Sequence, residues 1–354
     1  MRQIILFCLF YTCNMADAGT GILELDSTPG GAEVFVDGKK KGITPEREGQ
    51  KLIMELEEGD HEVEVRKAGV GSARKKVLVG ERVTQPLTLT IEPAAPEAFT
   101  NRLGMKFVPV PGTRILMCIH ETRNQDYAAY AAANQGVDDS WKNPVFRLPK
   151  KQLTIPKDAN HPVVNVNWED ATAFCAWLGR QEGKTHRLPT DHEWSCAVGI
   201  GSQEKAGATP EEKNGKVAGY PWGASYPPSK NNVGNYADLT YVKGEAAETG
   251  YMGDYDDGAL LTAGVMSYPA NKLGIFDLGG NVWEWCQDLY TPGHDSSVQR
   301  GGSFDFGGRG LLTSSYRSSQ LPGWRSILYG FRCVVVVGGS SPKPATADRL
   351  KLRE

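Results

Sequence analysis

Gly280-Asn281-Val282-Trp283-Glu284-Trp285, then Arg300-Gly301-Gly302-Ser303, then Gly330-Phe331-Arg332-Cys333 are the runs from which the architecture is most readily inferred. Each sets charged or polar side chains among glycines and aromatics. No helical or strand period joins one run to the next. Long irregular connections of this kind need side-chain or metal support. Upstream, Asn167 is a good N-cap with Asp170 at the third helical position, and Ala171, Phe174, Cys175 and Leu178 then fall on one apolar face. Thr190 with Glu193 forms a capping box that opens a second helix.

Composition narrows the function classes. The chain has 354 residues, enough for two or three domains, and 40% of them are hydrophobic, enough for packed cores. Its formal charge of −3 gives no basic footprint for nucleic acid. No apolar run is long enough to span a membrane. With 41 Gly and 21 Pro the chain is rich in turns and unlike a helical bundle.

Residues 1–18 read as a secretory signal peptide. Arg2 starts it, Ile4 to Phe10 is apolar, and Ala16-Asp17-Ala18 fits a cleavage site. The expectation is export, to the periplasm, the cell surface or the medium. Cys118, Cys175, Cys196, Cys286 and Cys333 would remain, an odd set that leaves at least one free thiol.

Residues 19–92 alternate with period two. Ile22 and Leu25, Ala32 to Asp37, Leu52 to Leu56, His61 to Arg66 and Leu87 to Ile91 are strand candidates separated by turn chemistry. They predict a small antiparallel sandwich with Glu33, Glu62 and Glu64 facing water. The run Pro29 to Gly38, followed by Gly42-Ile43-Thr44-Pro45, resembles the PEGA domain family. That resemblance implies a surface-associated spacer without chemistry. His61 stands alone and reads as structural. Residues 93–98 read as a stiff linker, and 339–354 as a flexible tail.

Residues 99–338 carry a further resemblance. His161-Pro162-Val163-Val164-Asn165-Val166-Asn167-Trp168, Arg187-Leu188-Pro189-Thr190, Pro221-Trp222-Gly223 and Asn271 to Leu278 precede the three runs quoted first. In this order they resemble the formylglycine-generating enzyme, or sulfatase-modifying factor, family. The implied fold is α+β, a variant of the C-type lectin fold.

The enzymes of that family oxidise a substrate cysteine with copper held by two thiolates, a soft metal on soft ligands. Those cysteines lie between the Arg-Gly-Gly-Ser and Gly-Phe-Arg-Cys motifs. Here Phe304 to Tyr329 contains no cysteine. A related branch uses non-haem iron and a histidine-rich partner domain. Among the six histidines only His186 and His192 are close in sequence, and they read as capping and surface residues. The alternative function is a metal-dependent oxidoreductase of this family.

The resemblance implies calcium instead. Asp277 and Glu284 would supply carboxylates, with carbonyls from Gly280 and Val282. A second site would use Asn235, Asp257 and the carbonyls of Tyr236 and Ala259. Mixed hard oxygens suit calcium. Cys175 and Cys333 match positions that form a disulfide in secreted members, which would tie the first helix to the last strand.

From Ser303 to Arg332 there is no Lys, Glu, Asn or His. An ordinary solvated loop carries such residues; apolar groups beside Ser and Gly suit recognition. The ligand-binding candidates are Phe304, Asp305, Phe306, Arg309, Leu312, Tyr316, Ser318, Gln320, Leu321, Trp324, Ser326, Ile327, Leu328 and Tyr329. The frame around them resembles that of the variable proteins of diversity-generating retroelements. Adenine-directed mutation of Asn codons yields Phe, Ser, Tyr, Leu, Ile, Asp, Gly and Arg but never Lys or Glu, and the observed set follows that bias except at Gln320 and Trp324. The functional expectation is an exported protein that binds a protein or cell-surface ligand through this segment.

Overall fold

The computed structural model describes residues 19–47, 49–93, 96–148, 151–229, 232–244 and 250–337. The predicted signal segment and tail lie outside the described residues. The chain divides into two compact units, the first ending at Ala95 and the second beginning at Pro96. Among the described residues no helix is long and apolar enough to cross a membrane.

The first unit consists of β1 (Thr20–Thr28), β2 (Glu33–Val36), β3 (Lys39–Ile43), β4 (Leu52–Glu57), β5 (Gly59–Lys67), β6 (Gly71–Val79), β7 (Thr84–Thr90) and β8 (Glu92–Pro93). They form two sheets, ordered β4-β1-β7 and β3-β2-β5-β6-β8. The period-two pattern sends Leu23, Leu25, Val34, Val36, Val63, Val65, Leu87 and Leu89 inward as one core. Asp37 (φ 50°) and Gly38 (φ 76°) make the tight turn between β2 and β3, where both residues need left-handed backbone.

Several expectations for this unit are corrected. β1 pairs with β7 in parallel, so the sandwich is not wholly antiparallel. β3 and β6, too charged to show an apolar alternation, were not anticipated. Glu64 does not face water: it is buried and receives Arg66 at 2.7 Å and Arg74 at 3.3 Å. Pro93, placed in the linker from sequence, is paired with Gly71 in β8. His61 is structural, as expected; its Nδ1 meets Asp37 Oδ2 at 2.7 Å and its Nε2 meets the Glu57 carbonyl at 2.8 Å.

The second unit is mixed α and β. Its first part holds β9 (Phe99–Thr100), β10 (Lys106–Pro109), β11 (Ile115–Cys118), α1 (Asn124–Ala133), β12 (Val145–Arg147), β13 (Gln152–Thr154), α2 (Trp168–Glu182), β14 (His186–Arg187) and α3 (Asp191–Val198). Then come α4 (Pro210–Lys213), α5 (Leu239–Lys243), β15 (Trp283–Leu289), β16 (Ser297–Arg300), β17 (Ser318–Gln320), β18 (Tyr329–Gly330) and β19 (Val334–Val336). One sheet runs β14-β19-β11-β10-β9, another β17-β16-β15-β18, and β12 pairs with β13.

β11 reads as an uninterrupted apolar run because both its faces are covered. Leu116 and Cys118 join Tyr127, Phe174, Leu178, Trp285 and Phe331 in one core. Ile115 and Met117 join Trp194, Leu278, Cys286 and Val298 in the other. The caps form as the sequence suggests: Asn167 accepts from Asp170 N at 2.8 Å, and Thr190 accepts from Glu193 N at 3.1 Å. α2 ends at Gly183, whose φ of 63° suits the left-handed C-cap. α1 precedes it, so the helix bearing Cys175 is the second. His186 is not a surface residue; it is buried in β14 with Nε2 at 3.0 Å from Glu182.

Side chains hold the irregular region before β15. Asn281, itself left-handed at φ 57°, accepts from Ala263 N at 2.9 Å and donates to Glu121 Oε2 at 2.6 Å. A Cβ on Gly280 would collide with the Asn235 carbonyl, so only glycine fits there.

Candidate functional site

The segment 303–332 is a loop pinned at intervals by buried arginines. Arg300, Arg317 and Arg332 are fully buried. Arg317 contacts both oxygens of Asp191 at 2.9 Å, and Arg300 donates to the same carboxylate. Burial raises the Asp191 carboxyl, but the two guanidinium groups outweigh it and hold it below its ordinary value. Arg332 pairs with Glu284 through Nε at 2.7 Å and Nη2 at 2.5 Å. Arg325 donates from both terminal nitrogens to Asp170 at the start of α2.

Between these anchors the chain is displayed. Asn165 N donates to the Ser326 carbonyl at 2.9 Å and Trp168 N to the Pro322 carbonyl at 3.0 Å, so the turn 321–326 lies on the N-terminus of α2. Trp324 N closes it on the Leu321 carbonyl at 3.0 Å. Leu321 is 52% exposed and Trp324 55% exposed, large apolar groups held in water by an ordered turn.

The strand pairing assembles further candidates on one sheet face. Register places Gln299 between Trp285 and Ser318, Ser297 opposite Gln320, and Trp283 beside Tyr329. Such cross-strand partners share a face. Phe306 and Tyr316 meet Trp283 edge-on or tilted, at 5.3 and 5.9 Å between ring centres. Ser318, Gln320, Tyr329, Phe306 and Tyr316 are half-buried there. Trp283 and Gln299 belong to this face and were not anticipated; the informative signal is a glutamine in a strand whose residues are all buried.

Other candidates fall elsewhere. Phe304 and Leu312 are core residues, 0% and 2% exposed, packed with Tyr241 and Val282 and with Tyr236 and Tyr255 respectively. They are corrected from display to core. Ile327 and Leu328 are half-buried against the Phe304 cluster. Asp305, also half-buried, accepts from the Tyr241 hydroxyl, and burial raises its carboxyl to about 6. Arg309 is exposed, its guanidinium 5.7 Å from the centre of the Tyr226 ring. Tyr226, Tyr220 and Trp222 form a half-buried aromatic group with stacking of Tyr220 on Trp222 at 4.7 Å.

The two calcium sets differ in fit. Asp257 accepts from Tyr236 N at 2.8 Å and Ala259 N at 2.9 Å, so three of the named residues are in direct contact. Asn235 Oδ1 is buried without a hydrogen-bond partner. Burial raises the Asp257 carboxyl to about 7, a penalty that a bound cation would offset. One carboxylate with amide and carbonyl oxygens is the donor chemistry that a hard cation takes.

The other set does not fit as expected. Glu284 Oε1 and Oε2 are taken by Arg332, and Oε2 also accepts from Trp194 Nε1 at 3.0 Å. Asp277 instead accepts from Met266 N at 2.8 Å, and Gly280 and Val282 are linked through their amides to Gly301 and Glu121. Among the described residues no three His, Cys, Asp or Glu side chains are grouped to hold a metal.

Cys118, Cys175, Cys286 and Cys333 are buried and Cys196 is half-exposed. Burial raises the thiols of Cys118, Cys286 and Cys333, away from the thiolate that binds soft metal. Cys175 and Cys333 stand side by side with sulfurs 3.2 Å apart and unbonded. Cys196 lies 3.5 Å from His192 Nε2.

The chain is 35% identical over 182 residues to the inactive C-alpha-formylglycine-generating enzyme 2 of Mus musculus, which covers 50% of each protein. It is 33% identical over 199 residues to the formylglycine-generating enzyme of Streptomyces coelicolor, covering 49% of this chain and 52% of the relative. The chain thus spans about half the length of the curated relatives it matches. Proteins named as enzyme and as inactive counterpart are similarly related to it, so likeness alone assigns no activity. Treponema denticola variable protein 1 is 18% identical, with a TM-score of 0.47 over 68% of this chain and 99% of that one. Residues 20–95 match the PEGA domain family, and residues 99–337 match the sulfatase-modifying factor enzyme 1-like domain family, to which the chain belongs.

Proposed function

We propose that the second unit is a ligand-binding module on an exported protein, a variable-protein-like descendant of the formylglycine-generating scaffold. The observation that supports this most is the contrast within 303–332. Arg317 and Arg332 are buried and paired and Arg325 is paired with Asp170, whereas Leu321 and Trp324 among them are exposed on an anchored turn. An ordered aromatic anchor surrounded by serines is the composition of a binding surface. The absence of cysteine from 304 to 329 argues against copper-thiolate oxidation at this position. In this reading a cell-surface or protein ligand docks on Trp324, Leu321 and the half-buried Phe306, Tyr316 and Ser326. Calcium at Asn235 and Asp257 braces the loop beneath, and the segment is open to diversification by a retroelement.

The test is selection from a displayed random peptide library on the full chain, followed by rebinding to Leu321→Ala/Trp324→Ala. Recovered binders should lose at least tenfold in affinity on the variant. Equal binding to both proteins would reject this surface.

A further inference from the structure

The face of β15, β16 and β17 that gathers the candidates has an uncharged floor. Its members are Trp283, Trp285, Ser297, Gln299, Ser318 and Gln320. The charged neighbours in the same strands are committed elsewhere, Glu284 to Arg332, Arg300 to the Asp191 carboxylate and Asp288 to the Asp191 amide. Gln299 is 0% exposed, yet neither its Nε2 nor its Oε1 has a hydrogen-bond partner. Gln287, further along β15, has an unpartnered buried Oε1 as well. A carboxamide so placed is costly in the free protein, because both its donor and its acceptor have left water. β17, the next strand, is half-exposed along Ser318–Gln320 and is the edge of the sheet, so a single strand separates Gln299 from solvent.

The chemistry of the missing partner follows from the group itself. A carboxamide presents one donor and one acceptor side by side, so it is satisfied at one stroke by another amide in a two-hydrogen-bond pair. A single hydroxyl meets one end only. An ion finds no opposing charge on this floor.

We infer that Gln299 is a specificity-determining residue that reads the carboxamide of an Asn or Gln side chain inserted by a protein ligand beside β17. This rests on the binding reading above and narrows its ligand to an amide-bearing one. Trp324 and Leu321 supply apolar contact; Gln299 supplies selection, since a site with buried unpaired polar groups rejects a ligand that cannot pair them.

The experiment uses the isotopically labelled full chain, with the Gln299 side-chain NH₂ resonances assigned by their loss in Gln299→Met. Propionamide and butanone, of nearly equal size and both uncharged, are titrated separately. Propionamide should shift these resonances along a saturating curve, with butanone giving less than a fifth of that shift. Gln299→Met should raise the melting temperature by about 3 °C, because it removes unpaired polar atoms from the interior. Equal shifts from the two probes, or stronger shifts from a methyl pyranoside, would overturn the amide assignment. So would a fall in melting temperature in Gln299→Met, which would show the carboxamide already paired in the free chain. Because the probe is a free amide, a propionamide response in a chain whose library binders ignore Trp324→Ala would reject the larger surface while leaving Gln299 as an amide site.

Discussion

Arg325 grips both carboxylate oxygens of Asp170, a residue 155 positions earlier, and its neighbour Trp324 stands more than half exposed. An exposed aromatic side chain is thus set on a turn whose next residue is bolted to the capped start of α2. Ordering of this kind lowers the entropy that a ligand must spend on binding.

Arg325→Met should therefore weaken binding more than folding. The ion pair is partly exposed, so its removal should cost no more than about 1 kcal/mol of stability. Trp324 emission should become more readily quenched by iodide as the turn loosens. Affinity for a library-selected binder, measured by interferometry, should fall several-fold.

The buried charges behave differently. Asp191→Asn strands Arg300 and Arg317 without their shared partner, and breaking a buried pair from one side typically costs about 3–5 kcal/mol. Urea unfolding of the second unit should show that loss. A change under about 1 kcal/mol would mean that Glu204, which also meets Arg317, compensates.

The calcium site proposed at Asn235 and Asp257 predicts linkage. At a hundredfold excess over the dissociation constant a cation that binds only the folded state adds about 2.7 kcal/mol. Calorimetry of the calcium-loaded chain should show the second unit melting at lower temperature after chelator treatment. Asn235→Leu should abolish that difference, and no calcium dependence in the parent would remove the site.

In the first unit, His61 and Asp37 predict a pH signature. The hydrogen bond to Asp37 raises the His61 imidazole, and its partner bond lowers the Asp37 carboxyl. The histidine contribution is fully present below its ordinary value and fades as pH rises through the raised one. The aspartate contribution is present above its ordinary value and fades as pH falls through the lowered one. Carbon-bound proton shifts of His61, followed across pH 5 to 9 (about the range in which histidines titrate), should titrate high in the parent. In Asp37→Asn they should move down towards the ordinary value.

What the sequence revealed was local. The caps at Asn167 and Thr190 lie within one helical turn of the groups they satisfy, and the period-two strands of the first unit need only their neighbours. What it concealed was long-range. Phe304 and Leu312 sit in an irregular loop without a period, so nothing local separates them from the displayed Leu321. Glu284 looks like any carboxylate until Arg332 arrives from 48 positions away. α1 carries no apolar stripe in its sequence, because Tyr127 and Tyr130 lie among alanines, although both rings are buried against Phe174.

The proposed function sets ligand binding against thiol oxidation on this scaffold. The direct measurement is mass spectrometry of a cysteine-containing peptide incubated with the pure full-length chain, Cu(I) and oxygen. Unchanged peptide, with copper recovered unbound by the protein, is the predicted result. Accumulation of the aldehyde-bearing product over many turnovers would contradict the account.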